Sequence, residues 1–289
     1  MMKTIVSMAS ALALFVQWPA NARIPESAPV PVQASPVRTV IQPLPEVRQL
    51  TPAQKFEWYL AAAERGNLTA MVNLGKMYQD GIGTPADPRV GAQWYRRAAD
   101  LGDATAELNL GVSYERGIGV DPDLSQAVRW YRRSAERGDA AACANLGIML
   151  QYGRGTTADA AQAAKWYREG ARRGNATAQV NLGYLYEHGV GVAQDLALAV
   201  AWYREAAENG HAVALANLGT LYEQGRGVDR DLRMAAHWYT MAAEKGNVPA
   251  QFDAARMYER GLGVAADPVR ASYWLRRASG REGGGQAGL

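Results

Sequence analysis

Seven of the eight tryptophans in this chain stand on one lattice. Trp58, Trp94, Trp130, Trp166, Trp202, Trp238 and Trp274 each follow the last by 36 residues. A strict period of this size means a stacked array of one supersecondary unit, whose apolar face is buried only against its neighbours.

Each unit reads as two helices. The first carries the stripe Ala178, Leu182, Leu185 and Tyr186, and the second carries Ala199, Trp202, Tyr203 and Ala206, both at helical spacing. First helices start at Asn67, Asp103, Asp139, Asn175, His211 and Asn247, of which five have side chains suited to an N-cap. Second helices start at Thr51, Asp87, Asp123, Asp159, Asp195, Asp231 and Asp267. All seven are N-cap types, and Thr51, Asp87 and Asp267 are followed by proline at the first helical position. Units close on Gly66, Gly102, Gly138, Gly174, Gly210 and Gly246, which suits a left-handed C-terminal cap.

Between the two helices a GxG recurs, at Gly81/Gly83, Gly117/Gly119, Gly153/Gly155, Gly189/Gly191, Gly225/Gly227 and Gly261/Gly263. A phosphate-binding loop follows a strand and opens directly into a helix. These copies lie between helices and lack a third glycine at the dinucleotide spacing. The one Gly-Lys pair, Gly75-Lys76, runs into Met77 instead of Ser or Thr. The glycines are punctuation, and a nucleotide enzyme is not indicated.

The array is expected to span residues 51–280, as an N-terminal capping helix and six helix pairs. Before it, Lys3, the apolar run from Ile5 to Trp18 and Ala20-Asn21-Ala22 read as a secretory signal peptide over 1–22, cut after Ala22. That run is too short to span a bilayer, which takes about 20 residues. Residues 23–50 hold six of the thirteen prolines and read as an extended linker, and the glycine-rich 281–289 as a flexible tail.

The formal net charge of +3 becomes 30 − 28 = +2 once Lys3 is removed, too little for a nucleic-acid footprint. The single cysteine, Cys143, excludes a disulfide framework and reads as a small buried residue. His188, His211 and His237 fall in three different columns of the repeat, so no metal cluster follows. Neither HExxH nor CxxC occurs, and no serine has a lysine three residues on. No cofactor, metal or catalytic residue is expected. Asn67 and Asn175 head glycosylation sequons, but their N-cap positions explain them better.

The unit approximates A-x-x-NLG-x-x-Y-x-x-GxGV-x-x-D-x-x-x-A-x-x-WY-x-x-AA-x-x-G. NLG stands at 73, 109, 145, 181 and 217, and Trp-Tyr at 58, 94, 130, 166, 202 and 238. This resembles the Sel-one-like repeat, a relative of the tetratricopeptide repeat, over about residues 51–280. The resemblance implies an all-α fold, a right-handed α-solenoid of stacked antiparallel helix pairs whose concave face is lined by first helices. It also implies an adaptor that assembles other proteins. A cysteine-rich subgroup has been linked to penicillin binding, and this chain lacks its cysteine pairs. Two units depart from the pattern. The last has Asp253-Ala254-Ala255 for NLG, as a capping unit would. The third has Leu150 for the tyrosine, with Tyr152 two residues on, which is expected to alter its loop.

Function is expected in columns that vary on an exposed face. Opposite the buried stripe of the first helices, Val112, Ile148 and Tyr184 make an apolar centre. Glu115, Glu187, Glu223 and Glu259 make an acidic row, with Arg256 beside it. An apolar centre with a charged rim fits a peptide groove. The second-helix row Arg96, Arg132, Arg168, Arg204 and Arg276 is expected to pair between repeats. The expectation is therefore a periplasmic or secreted, non-catalytic scaffold that binds a protein or peptide on its concave face. It has no nucleic-acid partner and no membrane span in the mature chain. The alternatives are a cell-wall or β-lactam hydrolase, and a polysaccharide-assembly scaffold with Tyr184 as its glycan-facing aromatic.

Overall fold

The computed structural model describes residues 49–280. The signal peptide, most of the linker and the tail expected from the sequence lie outside the described residues. Those described form thirteen helices and no strand. In chain order these are α1 (Pro52–Glu64), α2 (Leu68–Asp80), α3 (Pro88–Asp100), α4 (Ala104–Arg116), α5 (Leu124–Glu136), α6 (Ala140–Tyr152) and α7 (Ala160–Arg172). They continue with α8 (Ala176–His188), α9 (Leu196–Glu208), α10 (Ala212–Gln224), α11 (Leu232–Glu244), α12 (Val248–Arg260) and α13 (Pro268–Ala278). Each helix packs on the next, and α6 also touches α8, one unit on.

Local side-chain chemistry sets the boundaries. Asn175 Oδ1 accepts the Ala178 N–H at 2.8 Å, and Asp195 Oδ1 accepts that of Leu198 at 2.9 Å. The other second-helix starts are capped in the same way. Among the first helices only α10 lacks a side-chain cap, because His211 stands where the others have Asn or Asp. At the far end of α8, Gly189 adopts φ 68° and its N–H returns to Leu185 O. Val190 N also bonds Leu185 O, and Asp195 N bonds Tyr186 O, which clamps the seven-residue loop shut. The third unit does not differ. Asp159 N bonds Leu150 O at 2.8 Å, and Gly153 and Gly155 keep the same φ. The contact is through the backbone carbonyl, so replacing the tyrosine by Leu150 leaves the loop unchanged.

Two glycines of each inner unit are set by close approach. A Cβ on Gly183 would stand 2.7 Å from Tyr203 Cε1, so the glycine of NLG is the seat of the next helix's tyrosine ring. Gly191, at φ 69°, is the contact between units. A Cβ there would stand 2.7 Å from Ala161 N, at the start of the preceding second helix. The last unit confirms the first coupling by its exception. Ala255 replaces the glycine where Leu275 replaces the tyrosine.

Every Trp-Tyr pair puts its tyrosine in the core, whereas among the repeat tryptophans only Trp130 and Trp274, each 5% exposed, are buried there. Tyr95, Tyr131, Tyr167, Tyr203 and Tyr239 are all buried. Trp94, Trp166, Trp202 and Trp238 are only half-buried, and Trp58 is exposed. This corrects the stripe read from the sequence at Trp202. Several tryptophans carry arginines on their faces: Arg97 over Trp94, and both Arg96 and Arg133 over Trp130. The last unit ends the described array. It exposes Phe252, Val269, Tyr273 and Leu275.

Candidate functional site

The first-helix face selected from the sequence lies largely inside the stack. Val112 is 0% exposed, Ile148 4% and Glu187 4%; Tyr184 is half-buried. Val112 and Ile148 belong to one buried cluster, and α6 also packs on α8, so this column is withheld from solvent, which corrects the exposed apolar centre. Along α6 every side chain from Ala142 to Leu150 is buried. What remains accessible is mainly the C-terminal turns of the first helices and the loops after them, with Phe252 of α12 exposed as well.

The acidic row is corrected as well. Tyr131 donates its hydroxyl to Glu115 Oε2 at 2.6 Å, and Arg154, one unit on, reaches Glu115 Oε1 at 2.8 Å. The same triad recurs as Tyr203, Glu187 and Arg226, at 2.9 Å on both sides. In the next unit Tyr239 donates to Glu223 at 2.9 Å, and Arg256 grips Glu223 through both terminal nitrogens at 2.7 and 2.8 Å. Arg256 also bonds Asp253 at 3.1 Å. Glu115, Glu187 and Glu223 are therefore structural links between units, and Arg256 is one of their partners. Glu259 is exposed.

The electrostatics follow from this packing. Burial, followed by the Glu187 carboxylate, holds the Tyr203 phenol well above its ordinary value, so it stays a donor. Burial pushes Glu223 upwards, but Arg256 and the Tyr239 hydroxyl outweigh it and leave the carboxyl below its ordinary range. Burial raises Asp253.

Sequence reasoning missed a pairing visible in the columns themselves. Glu115 and Glu187 are each answered by an arginine in the middle of the next unit's GxG. Gln79 and Gln151 are answered there by Ile118 and Val190. Where Leu262 cannot answer Glu223, Arg256 does so from the adjoining helix. The signal could be found only by comparing two columns offset by one unit. Three of the five second-helix arginines pair between repeats: Arg96, Arg168 and Arg204 donate to the hydroxyls of Tyr114, Tyr186 and Tyr222 at 2.5, 3.0 and 2.5 Å, while Leu150 offers Arg132 no hydroxyl at that position.

An aromatic surface remains at the ends of α6 and α8. Tyr184 and His188 stack with ring centroids 4.3 Å apart, and His188 Nδ1 lies 3.0 Å from Tyr184 O. Tyr152, at the end of α6, is 41% exposed; burial and the neighbouring Tyr184 raise its phenol. Tyr152 and His188 were not among the residues singled out for binding. Cys143 is buried, and burial raises its thiol to about 11, which leaves it a poor nucleophile. Among the described residues no three His, Cys, Asp or Glu side chains come together to hold a metal, and no helix is long and apolar enough to cross a membrane.

Comparison with known families matches seven Sel1 repeats, over residues 56–67, 68–103, 104–139, 140–175, 176–211, 212–247 and 248–280. Among solved structures the chain is similar to c5321, a protective antigen of uropathogenic Escherichia coli strains displaying an SLR fold. The identity is 36% and the TM-score 0.74, over 79% of this chain and 49% of that one. The chain thus spans about half the length of that antigen. It is also similar to a Sel1 repeat protein from Oxalobacter formigenes, at 32% identity and TM-score 0.73, over 82% of this chain and 94% of that one. Comparison with curated proteins gave no significant match.

Proposed function

The chain belongs to the Sel1 repeat family, whose members are typically protein-interaction scaffolds, and from that premise we propose that it is an exported, non-catalytic adaptor. It binds a partner protein or peptide along the C-terminal turns of its first helices, on the side the family presents as concave. Export is read from Lys3, the apolar run to Trp18 and Ala20-Asn21-Ala22, with 23–50 as the tether between leader and array. It places the mature chain in the periplasm or outside the cell.

One observation carries this reading. The tyrosine, glycine and Glu–Arg columns are each committed to holding units together, whereas Tyr152 and His188 share one column that varies from unit to unit and Tyr184 stands in another. They leave partly exposed aromatic area that the repeat does not require. A surface built from rigid helix ends with aromatic anchors suits recognition without turnover.

Crosslinking capture from the envelope fraction tests it, with tagged protein beside a Tyr152→Ala variant that melts normally. A discrete protein held by the first and lost by the second is expected. Equal capture by both would move the site off these helix ends. Capture of no specific protein would remove the adaptor reading.

A further inference from the structure

Resting on that reading, the charge around the aromatic surface specifies the partner. Glu115 and Glu187 stand at the ends of α4 and α8 and suggest an acidic rim in the sequence. In the structure their side chains are only 6% and 5% exposed, beneath Arg154 and Arg226, which are 34% and 36% exposed. Solvent meets the arginines. Arg154 follows Tyr152 by two residues, and Arg226 is bonded to Glu187, in the same helical turn as Tyr184 and His188. Each guanidinium reaches its carboxylate through Nη1. A guanidinium carries five N–H donors in a fork, so each has donors for a second anion.

We propose that the last turns of α6 and α8 form a docking site for an acidic peptide, with an aromatic or apolar side chain on Tyr152, Tyr184 and His188 and flanking carboxylates on Arg154 and Arg226. The buried glutamates hold the two guanidiniums in place, so little side-chain freedom is lost when the peptide arrives. The apolar contact supplies affinity, and the two arginines select the charge and hence the partner.

The repeat itself supplies the test. Gln151 and Val190 occupy the Glu and Arg positions of a neighbouring unit pair, so the fold tolerates a neutral pair there. The double variant Glu115→Gln, Arg154→Val copies that pair and leaves the net charge unchanged. Fluorescence anisotropy would follow the full-length protein with two labelled hexapeptides, EEYFEE and its charge inverse KKYFKK. The acidic probe is expected to bind at least about tenfold more tightly than its inverse. Its affinity is expected to fall in the double variant and in Tyr152→Ala, while both melt like the parent. If the carboxylates dominated the surface, the double variant would bind the acidic probe more tightly, which overturns the proposal. Equal binding of the two probes, or binding of neither, also overturns it. The capture experiment still decides the adaptor reading, because a partner lost on Tyr152→Ala without acidic preference refutes only the charge assignment.

Discussion

Arg226 reaches back across a unit boundary to Glu187, Nη1 to Oε1 at 2.9 Å, while Tyr203 holds the other carboxylate oxygen at 2.9 Å. A carboxylate as deeply buried as Glu187 needs its partners. With Arg226 about a third exposed, the pair is screened on one side. Arg226→Val is expected to cost about 1–3 kcal/mol, because it leaves the charge buried with one hydroxyl. Glu187→Gln, Arg226→Val together should cost less than Arg226→Val alone, since Gln151 and Val190 already form such a pair. Denaturant melts of the two single variants and the double variant give the coupling directly. Additive losses would show that the two residues do not act as a pair.

Gly183 is held to glycine by the Tyr203 ring and not by its backbone angle, which is helical. Gly183→Ala therefore overpacks a closed site and is expected to cost about 1–3 kcal/mol. At an exposed helix position the same change would stabilise by up to about 1 kcal/mol. Thermal melts separate the two signs. Ala255, facing Leu275, shows that alanine is accepted where the ring is missing.

How much of this was legible depended on how far each interaction reaches along the chain. The caps at Asn175 and Asp195 were readable because a side chain bonds its own backbone three residues on. The array was readable because one period governs seven of the eight tryptophans. The burial of Val112 and Ile148 was not, since it depends on how the helices of neighbouring units meet, which no single helix encodes. Glu187 looked like a solvated helix residue because its answering arginine lies 39 positions away in a loop. The stripe holds both Trp202 and Tyr203, because periodicity does not say which of two neighbours faces inwards more fully. Tyr203, one position on, fills the pocket over Gly183.

His211 is the odd N-cap. Its Nδ1 is buried without a hydrogen-bond partner among the described residues, and α10 has no side-chain cap. Burial lowers its pKa below the ordinary 6.5. The folded state thus binds the proton less readily than the unfolded chain. Stability is complete above about pH 6.5 and falls as pH drops from there through the folded value. His211→Asn should supply the missing cap, add about 0.5–1 kcal/mol, and remove this acid-side loss. Melting curves between pH 7.5 and 5, an interval of about one unit either side of the ordinary histidine value, check both parts. A variant that keeps the parent's slope would acquit His211.

Trp166 and Tyr167 set the two readings of the core against each other. Tyr167 is 0% exposed, donates its hydroxyl to Gln151 Oε1 at 2.8 Å and fills the space over Gly147. Trp166 is larger but only half-buried, packed at the edge of the same cluster. If residue size governed stability, Trp166→Ala would be the worse change. Because buried area and cavity govern it, Tyr167→Ala should cost about 3–5 kcal/mol and Trp166→Ala less, about 1–3 kcal/mol. Tyr167→Ala also strands Gln151 and opens a hole between α6 and α7, over Gly147. In a stacked array such a loss divides the molecule, since each unit is supported only by its neighbours. The Tyr167→Ala melt should therefore broaden or split into two steps, while Trp166→Ala shifts a single transition. Equal shifts for both, or a larger one for Trp166→Ala, would return the tryptophan to the centre of the core.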